Sequence, residues 1–193
     1  MSSFVKSLKP IFEKTTSPIL NFLKDRDIHP NVLSLVGVFI ISTGSFFVYK
    51  GYNHVGALIL FLGGLFDALD GALARFSGKS SLFGAFLDST LDRISDALPI
   101  GALMLFFSKT QDVEGVFLGL LAMVFSFTVS YTKARSHSLG VDIPIGFFER
   151  TERFLVLILS IFFGFYKTGL LILALGAFYT TIERILYAKK HLS

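Results

Sequence analysis

Six stretches of this chain are apolar for close to the length a helix needs to cross a bilayer, about 20 residues at ~1.5 Å rise each. They fall near 32–49, 55–75, 82–107, 115–135, 153–166 and 168–187. Backbone amides in lipid find no water to bind, so spans of this kind are helices. With 193 residues, 52% of them hydrophobic, the chain reads as one domain, 1–193. It is expected to be an all-α integral membrane protein with six transmembrane helices over 31–193. The fifth stretch is short, so its ends are the hardest to place.

Basic residues set the orientation. Lys6, Lys9, Lys14, Lys24, Arg26, Arg75, Lys79, Lys133, Arg135, Arg150, Arg153, Arg184, Lys189 and Lys190 fall on one side, against Lys50, Lys109 and Lys167 on the other. This predicts a multi-pass protein of the cytoplasmic membrane with both termini in the cytoplasm. Residues 1–30 read as a juxtamembrane segment: Phe4, Val5, Leu8, Ile11, Phe12, Ile19, Leu20 and Leu23 alternate with lysines. That pattern predicts an amphipathic helix on the cytoplasmic face of the bilayer, broken near Pro18. No signal peptide is expected, because no small-residue cleavage site follows a short apolar run. There are no cysteines, which excludes disulfides and thiolate-held zinc. The net charge of +4 suits anionic headgroups. No nucleic-acid partner is expected, since no basic-aromatic stripe or known reading motif is present.

Inside the second and third apolar stretches stand four aspartates. Asp67 and Asp70 are three apart and Asp88 and Asp92 four apart, so each pair shares one helix face. A short turn, Ser77 to Ser81, makes the two helices an antiparallel hairpin and brings the pairs opposite one another. Each charge costs about 2.5–3.5 kcal/mol to place in a membrane helix on insertion scales. Four together need a positive partner, and hard divalent cations suit oxygen ligands. Two ions about 3.5–4 Å apart would use the set well and would clamp a phosphoryl displacement. By geometry alone the same carboxylates also fit a proton relay or ion pathway in a transporter. Gly71 and Gly84 leave room for a ligand against the backbone or for close helix packing.

The spacing of these residues resembles the CDP-alcohol phosphotransferase family, whose pattern is D-x2-D-G-x2-A-R-x8-G-x3-D-x3-D. Asp67, Asp70, Gly71, Ala74, Arg75, Gly84, Asp88 and Asp92 match it at every interval. A transporter has no need of Gly71, Ala74 and Arg75 at fixed offsets. The resemblance implies two divalent cations, Mg²⁺ or Mn²⁺, held by Asp67, Asp70, Asp88 and Asp92, with Asp92 also the general base. It implies a CDP-linked lipid, of CDP-diacylglycerol or CDP-archaeol type, contacted by Gly71, Ala74, Arg75, Ser81 and Gly84. Pro30, Asn31 and Ser34 resemble the family's P-N-x-L-[ST] stretch beside the nucleotide; a simple helix cap is the alternative. A homodimer is also implied.

Further along, Lys133, Arg135, Arg150, Arg153 and Arg184 are expected near the level of the aspartates. Arginine suits a phosphate bidentately, so this set is expected to bind a small phosphorylated polyol. Ordinary positive-inside topology would place the same charges there. The stretch resembles the phosphatidylinositol-phosphate synthase branch, which implies that Lys133, Arg153 and Arg184 grip an inositol phosphate. Ser136-His137 departs from that branch, so glycerol 3-phosphate stays open as the acceptor. His137 is read as a surface residue.

Overall fold

The computed structural model describes residues 15–192. All regular structure among them is helical. After a helical stretch at 15–25 come α1 (Pro30–Tyr49), α2 (Asn53–Ser77), α3 (Leu82–Lys109), α4 (Val113–Ser138), α5 (Arg150–Phe162) and α6 (Tyr166–Leu192). Each expected apolar stretch corresponds to one of these helices. The fifth is shifted: α5 starts earlier, at Arg150, and ends at Phe162 rather than near 166. The chain then turns through Gly164 at φ 78°, a left-handed conformation that glycine adopts without steric cost.

Four of the six, α1, α2, α4 and α6, are long and apolar enough to cross a membrane. α3 has the length, at 28 residues, but carries Asp88, Asp92, Arg93 and Asp96. α5 has only 13 residues, about 20 Å at helical rise. Large apolar side chains such as Phe39, Leu82 and Val113 face outward, at 73%, 94% and 78% exposure, as helices in lipid present them. The chain is a multi-pass membrane protein.

α1 and α2 pack through small residues. A Cβ on Gly44 would lie 2.9 Å from the Leu60 amide, and one on Gly56 would lie 3.0 Å from the Val48 amide. Such contacts let two backbones approach where no hydrophobic force drives helices together. α4 packs on α6, and α3 on α1 and α4. One apolar core, including Leu60, Leu103, Phe107, Ile161 and Leu170, fills the half of the bundle nearer the α1–α2 turn. A second, smaller cluster of Leu20, Leu33, Ala72 and Leu73 lies at the opposite end. On α2, Asp67 and Asp70 fall in sequence between Leu60 of the first cluster and Ala72 of the second.

The expected amphipathic helix lies mostly outside the described residues. Within them, helix continues through Pro18 instead of breaking there. Leu20 is buried at 3% exposure while Ile19 and Phe22 face out, so this stretch lays one face on the ends of α1 and α2.

Candidate active site

α2 ends in a glycine cap: Gly78 has φ 70°, the left-handed residue that commonly closes a helix. α3 then starts on Ser81, whose hydroxyl accepts the Gly84 amide at 2.9 Å, a standard N-cap. This tight hairpin sets Asp67 and Asp70 against Asp88. One carboxylate oxygen from each of these three lies within 4.8 Å of the others. Asp70 is 3% exposed, and its Oδ2 takes no hydrogen bond among the described residues. A buried carboxylate oxygen left without a donor is costly. Three hard oxygen donors of this kind fit a divalent cation, and the orphaned Oδ2 is satisfied by one.

Asp92 is not in that trio. It is held by Arg150, the first residue of α5. Arg150 Nη2 donates to Asp67 Oδ1 at 3.2 Å, Nη1 donates to Asp67 Oδ2, and Nη1 also forms an ion pair with Asp92 Oδ1 at 2.8 Å. The sequence reading placed Arg150 on the acceptor; here its guanidinium joins the aspartates.

Two cavities rich in polar residues border Asp70, Asp88 and Asp92, and a third, mostly apolar one borders Asp67. The first, about 160 Å³, is lined by Pro30, Asn31, Ser34, Gly71, Ala74, Arg75, Ser81 and Gly84, with Asp70, Asp88 and Lys79. Every residue expected at the nucleotide is brought to this one cleft. Pro30 stands at the first position of α1, where its missing N–H costs nothing. The cap itself is His29, whose Nδ1 accepts the Asn31 amide at 3.2 Å, so Asn31 faces the cleft without being the cap. A Cβ on Gly84 would sit 3.0 Å from Ser81 Oγ and 3.4 Å from Asn31 Oδ1. Lys79, which sequence reasoning missed, lines the cleft and reaches the Asp27 carboxylate at 2.5 Å. This pair lies outside the spans, and Lys79 holds the Asp27 carboxyl below its ordinary value of 3.8.

The second cavity, about 480 Å³, is lined by Lys133, Arg150, Arg153, Arg184 and Arg93, with Asp92, His137, Asp142 and Glu149. Arg135 is exposed and does not line it: one residue along a helix from Ala134 turns the side chain by about 100°, away from the cavity. The exposed His137 forms part of its rim. Two of the expected acceptor arginines are partly committed. Arg184, 2% exposed, donates to the carbonyls of Val129 at 2.6 Å and Ile145 at 3.2 Å and to Glu149 at 3.4 Å. Arg153 donates to the Phe148 carbonyl at 3.2 Å and to Asp96 at 3.0 Å. These bonds tie down the segment between α4 and α5. Asp96, 6% exposed, was also missed. The signal was present, since Asp88, Asp92 and Asp96 continue a four-residue spacing on one face of α3.

An acidic trio with two members lining one cleft, beside a cationic cavity, within helices that carry the D-x2-D-G spacing, defines a class. Residues 27–182 match the family model described as CDP-alcohol phosphatidyltransferase, and the chain belongs to that family of transferases of phospholipid synthesis. It is 34% identical over 189 residues to the archaetidylinositol phosphate synthase of Pyrococcus horikoshii, covering 97% of this chain and 98% of that protein. It also resembles the crystal structure of Mycobacterium tuberculosis phosphatidylinositol phosphate synthase with CDP-DAG bound. The TM-score is 0.83 at 31% identity, covering 91% of this chain and 94% of that one. The same enzyme in complex with manganese and citrate matches with a TM-score of 0.82, over 90% and 88% of the two chains.

Proposed function

We propose that this enzyme transfers a lipid-phosphate group from a CDP-linked lipid to inositol phosphate, releasing CMP. The observation that carries the reading is the pair of cavities meeting at the acidic group. Asp70 and Asp88 border the cleft that holds all the motif residues, and Asp92 borders the cationic one. Donor and acceptor then approach one cluster of carboxylates from two sides. One relative is named archaetidylinositol phosphate synthase, and one solved neighbour, a phosphatidylinositol phosphate synthase, carries CDP-DAG.

Asp67, Asp70 and Asp88 would hold divalent cation, Mg²⁺ or Mn²⁺, with Asp92 completing the set. Bound there, such ions neutralise a diphosphate and stabilise a leaving phosphate. Arg75 and Lys79 face the nucleotide cleft and meet its negative charge. Ser81 and Asn31 offer neutral hydrogen bonds there. On the other side, Lys133, Arg153 and Arg184 orient the acceptor phosphate, and Asp92 takes the proton from the attacking hydroxyl. Transfer at phosphorus depends on positioning and charge stabilisation, which these residues supply.

The chain crosses the cytoplasmic membrane six times, with α3 and α5 as the remaining spans. Both termini are cytoplasmic, by the distribution of Lys and Arg, and two copies form a homodimer. The lipid tails are ester- or ether-linked. Glycerol 3-phosphate is the second reading for the acceptor, since it carries the phosphate that the cations of this cavity would bind.

An acceptor screen tests the proposal. Purified protein with Mg²⁺ or Mn²⁺ and CDP-diacylglycerol is expected to release CMP with inositol phosphate, and far less with free inositol or serine. A preference for glycerol 3-phosphate would replace the acceptor, and metal flux in liposomes without CMP release would overturn the reaction. Asp92→Asn is expected to lower turnover by about 10²–10⁴-fold, the range for a lost general base, with CDP-lipid binding retained.

A further inference from the structure

One guanidinium joins the acidic trio to the cationic cavity. Arg150 holds both oxygens of Asp67, pairs with Asp92 at 2.8 Å and points Nε at Asp96 Oδ1 at 3.4 Å. It lines the cationic cavity together with Arg153. Its positive charge therefore sits on an oxygen pair that a divalent cation at the trio also needs. It also sits on the Asp92 oxygen that would accept the acceptor's proton. Two cations cannot both take full advantage of Asp67. A phosphorylated polyol in the cationic cavity changes that competition. Its phosphate brings roughly −1.5 to −2 charges and matches the guanidinium fork bidentately.

We propose that Arg150 is an acceptor-operated latch, holding Asp67 and Asp92 until an acceptor phosphate draws its guanidinium away. Asp96 is the pivot: buried and shared with Arg153 at 3.0 Å, it stays an ion-pair partner of Nε, at 3.4 Å without a hydrogen bond, while the two Nη groups turn from carboxylate to phosphate. The inference rests on the reading above, in that a phosphorylated polyol occupies the cationic cavity. Two consequences follow. Acceptor and metal bind with positive coupling, and the coupling is reciprocal. Without acceptor, Asp92 is occupied and water is not activated, so the donor is spared hydrolysis. In that side reaction water oxygen bonds to the lipid phosphorus and the bond from that phosphorus to CMP oxygen breaks. The water proton goes to Asp92 and CMP leaves, giving a phosphatidic-acid-type product.

The test is Mn²⁺ binding to the full chain in detergent, followed by electron paramagnetic resonance with and without inositol phosphate, corrected for Mn²⁺ held by inositol phosphate alone. The wild type is expected to bind Mn²⁺ about 5- to 100-fold more tightly with inositol phosphate, the usual range of coupling between sites. Arg150→Gln is expected to bind Mn²⁺ tightly without it, to show under 2-fold coupling, and to release CMP from CDP-diacylglycerol without acceptor. Should that variant not fold, Arg150→Lys keeps the charge but cannot span two carboxylates, and its coupling is expected to fall several-fold. Inositol phosphate that binds calorimetrically yet leaves wild-type Mn²⁺ affinity unchanged would overturn the latch and leave the acceptor reading standing. Coupling seen with glycerol 3-phosphate in place of inositol phosphate would keep the latch and change the acceptor. If neither binds, both fall.

Discussion

Arg184 and Lys79 show how differently two cations near one site behave. Arg184 is enclosed and spends its donors on two carbonyls and Glu149. Gly146, at φ 150°, gives it room, since a Cβ there would lie 2.6 Å from Nη2. Arg184→Ala leaves those acceptors unpaired, and breaking a buried charged network costs about 3–5 kcal/mol. A clear drop in the melting temperature of detergent-purified protein is the expected readout. Lys79 is the half-buried partner of an exposed Asp27, and pairs open to solvent contribute little to stability. Its effect belongs at the nucleotide cleft: Lys79→Ala is expected to raise KM for CDP-lipid several-fold with kcat nearly unchanged, measured by CMP release. The Asp27 carboxyl is held low by Lys79, so the pair is present above the ordinary carboxylate pKa and is lost only as pH falls through the depressed value. KM for CDP-lipid is therefore expected not to change through this pair between about pH 6 and 8.

At the level of elements, α5 and the segment before it differ most from a simple row of spans. A 13-residue helix is too short for the hydrocarbon thickness by itself. The segment leading into it packs inward, with Ile143 at 1% and Phe148 at 7% exposure. Irregular backbone that is buried is tolerated only where the protein satisfies its polar groups. Here Thr180 Oγ1 accepts the Phe148 amide at 3.1 Å, while Arg153 and Arg184 donate to the Phe148 and Ile145 carbonyls. The same arginines that border the cationic cavity therefore hold the segment beside it. The α1–α2 pair depends on glycine instead. Gly63→Val would drive a Cβ to 2.5 Å from Ile41 Cγ1. Overpacking of this sort costs about 1–3 kcal/mol, and a matching loss of thermal stability is the expected outcome, with KM for donor and acceptor little changed in protein that folds.

For the whole molecule, topology is directly testable because the chain has no cysteine. Single cysteines at Ser80 and Ser193 are expected to react with an impermeant maleimide only after the membrane is opened, and one at Thr110 to react in intact cells. Labelling of Ser80 and Thr110 from the same side would overturn the six-span reading. Much of this molecule was legible in its linear order. Apolar runs located the helices, because a run that long in lipid has one way to satisfy its backbone. The D-x2-D-G pattern pointed to the trio and to the cleft proposed for the nucleotide, because its residues lie on two adjacent helices joined by a four-residue turn and need only helical periodicity to converge. The cationic side was legible in residue type but not in role. Lys133, Arg150, Arg153 and Arg184 come from three elements whose packing is not local, and spacing cannot tell which guanidinium meets a carbonyl, a carboxylate or an open cavity. That Arg135 turns outward, that Asp96 holds two arginines, and that Arg150 reaches back to Asp67 and Asp92 were decided only by how α5 and α6 pack against α2, α3 and α4. Charge in a membrane interior settles on whatever partner the fold brings within reach, and that proximity is a tertiary fact.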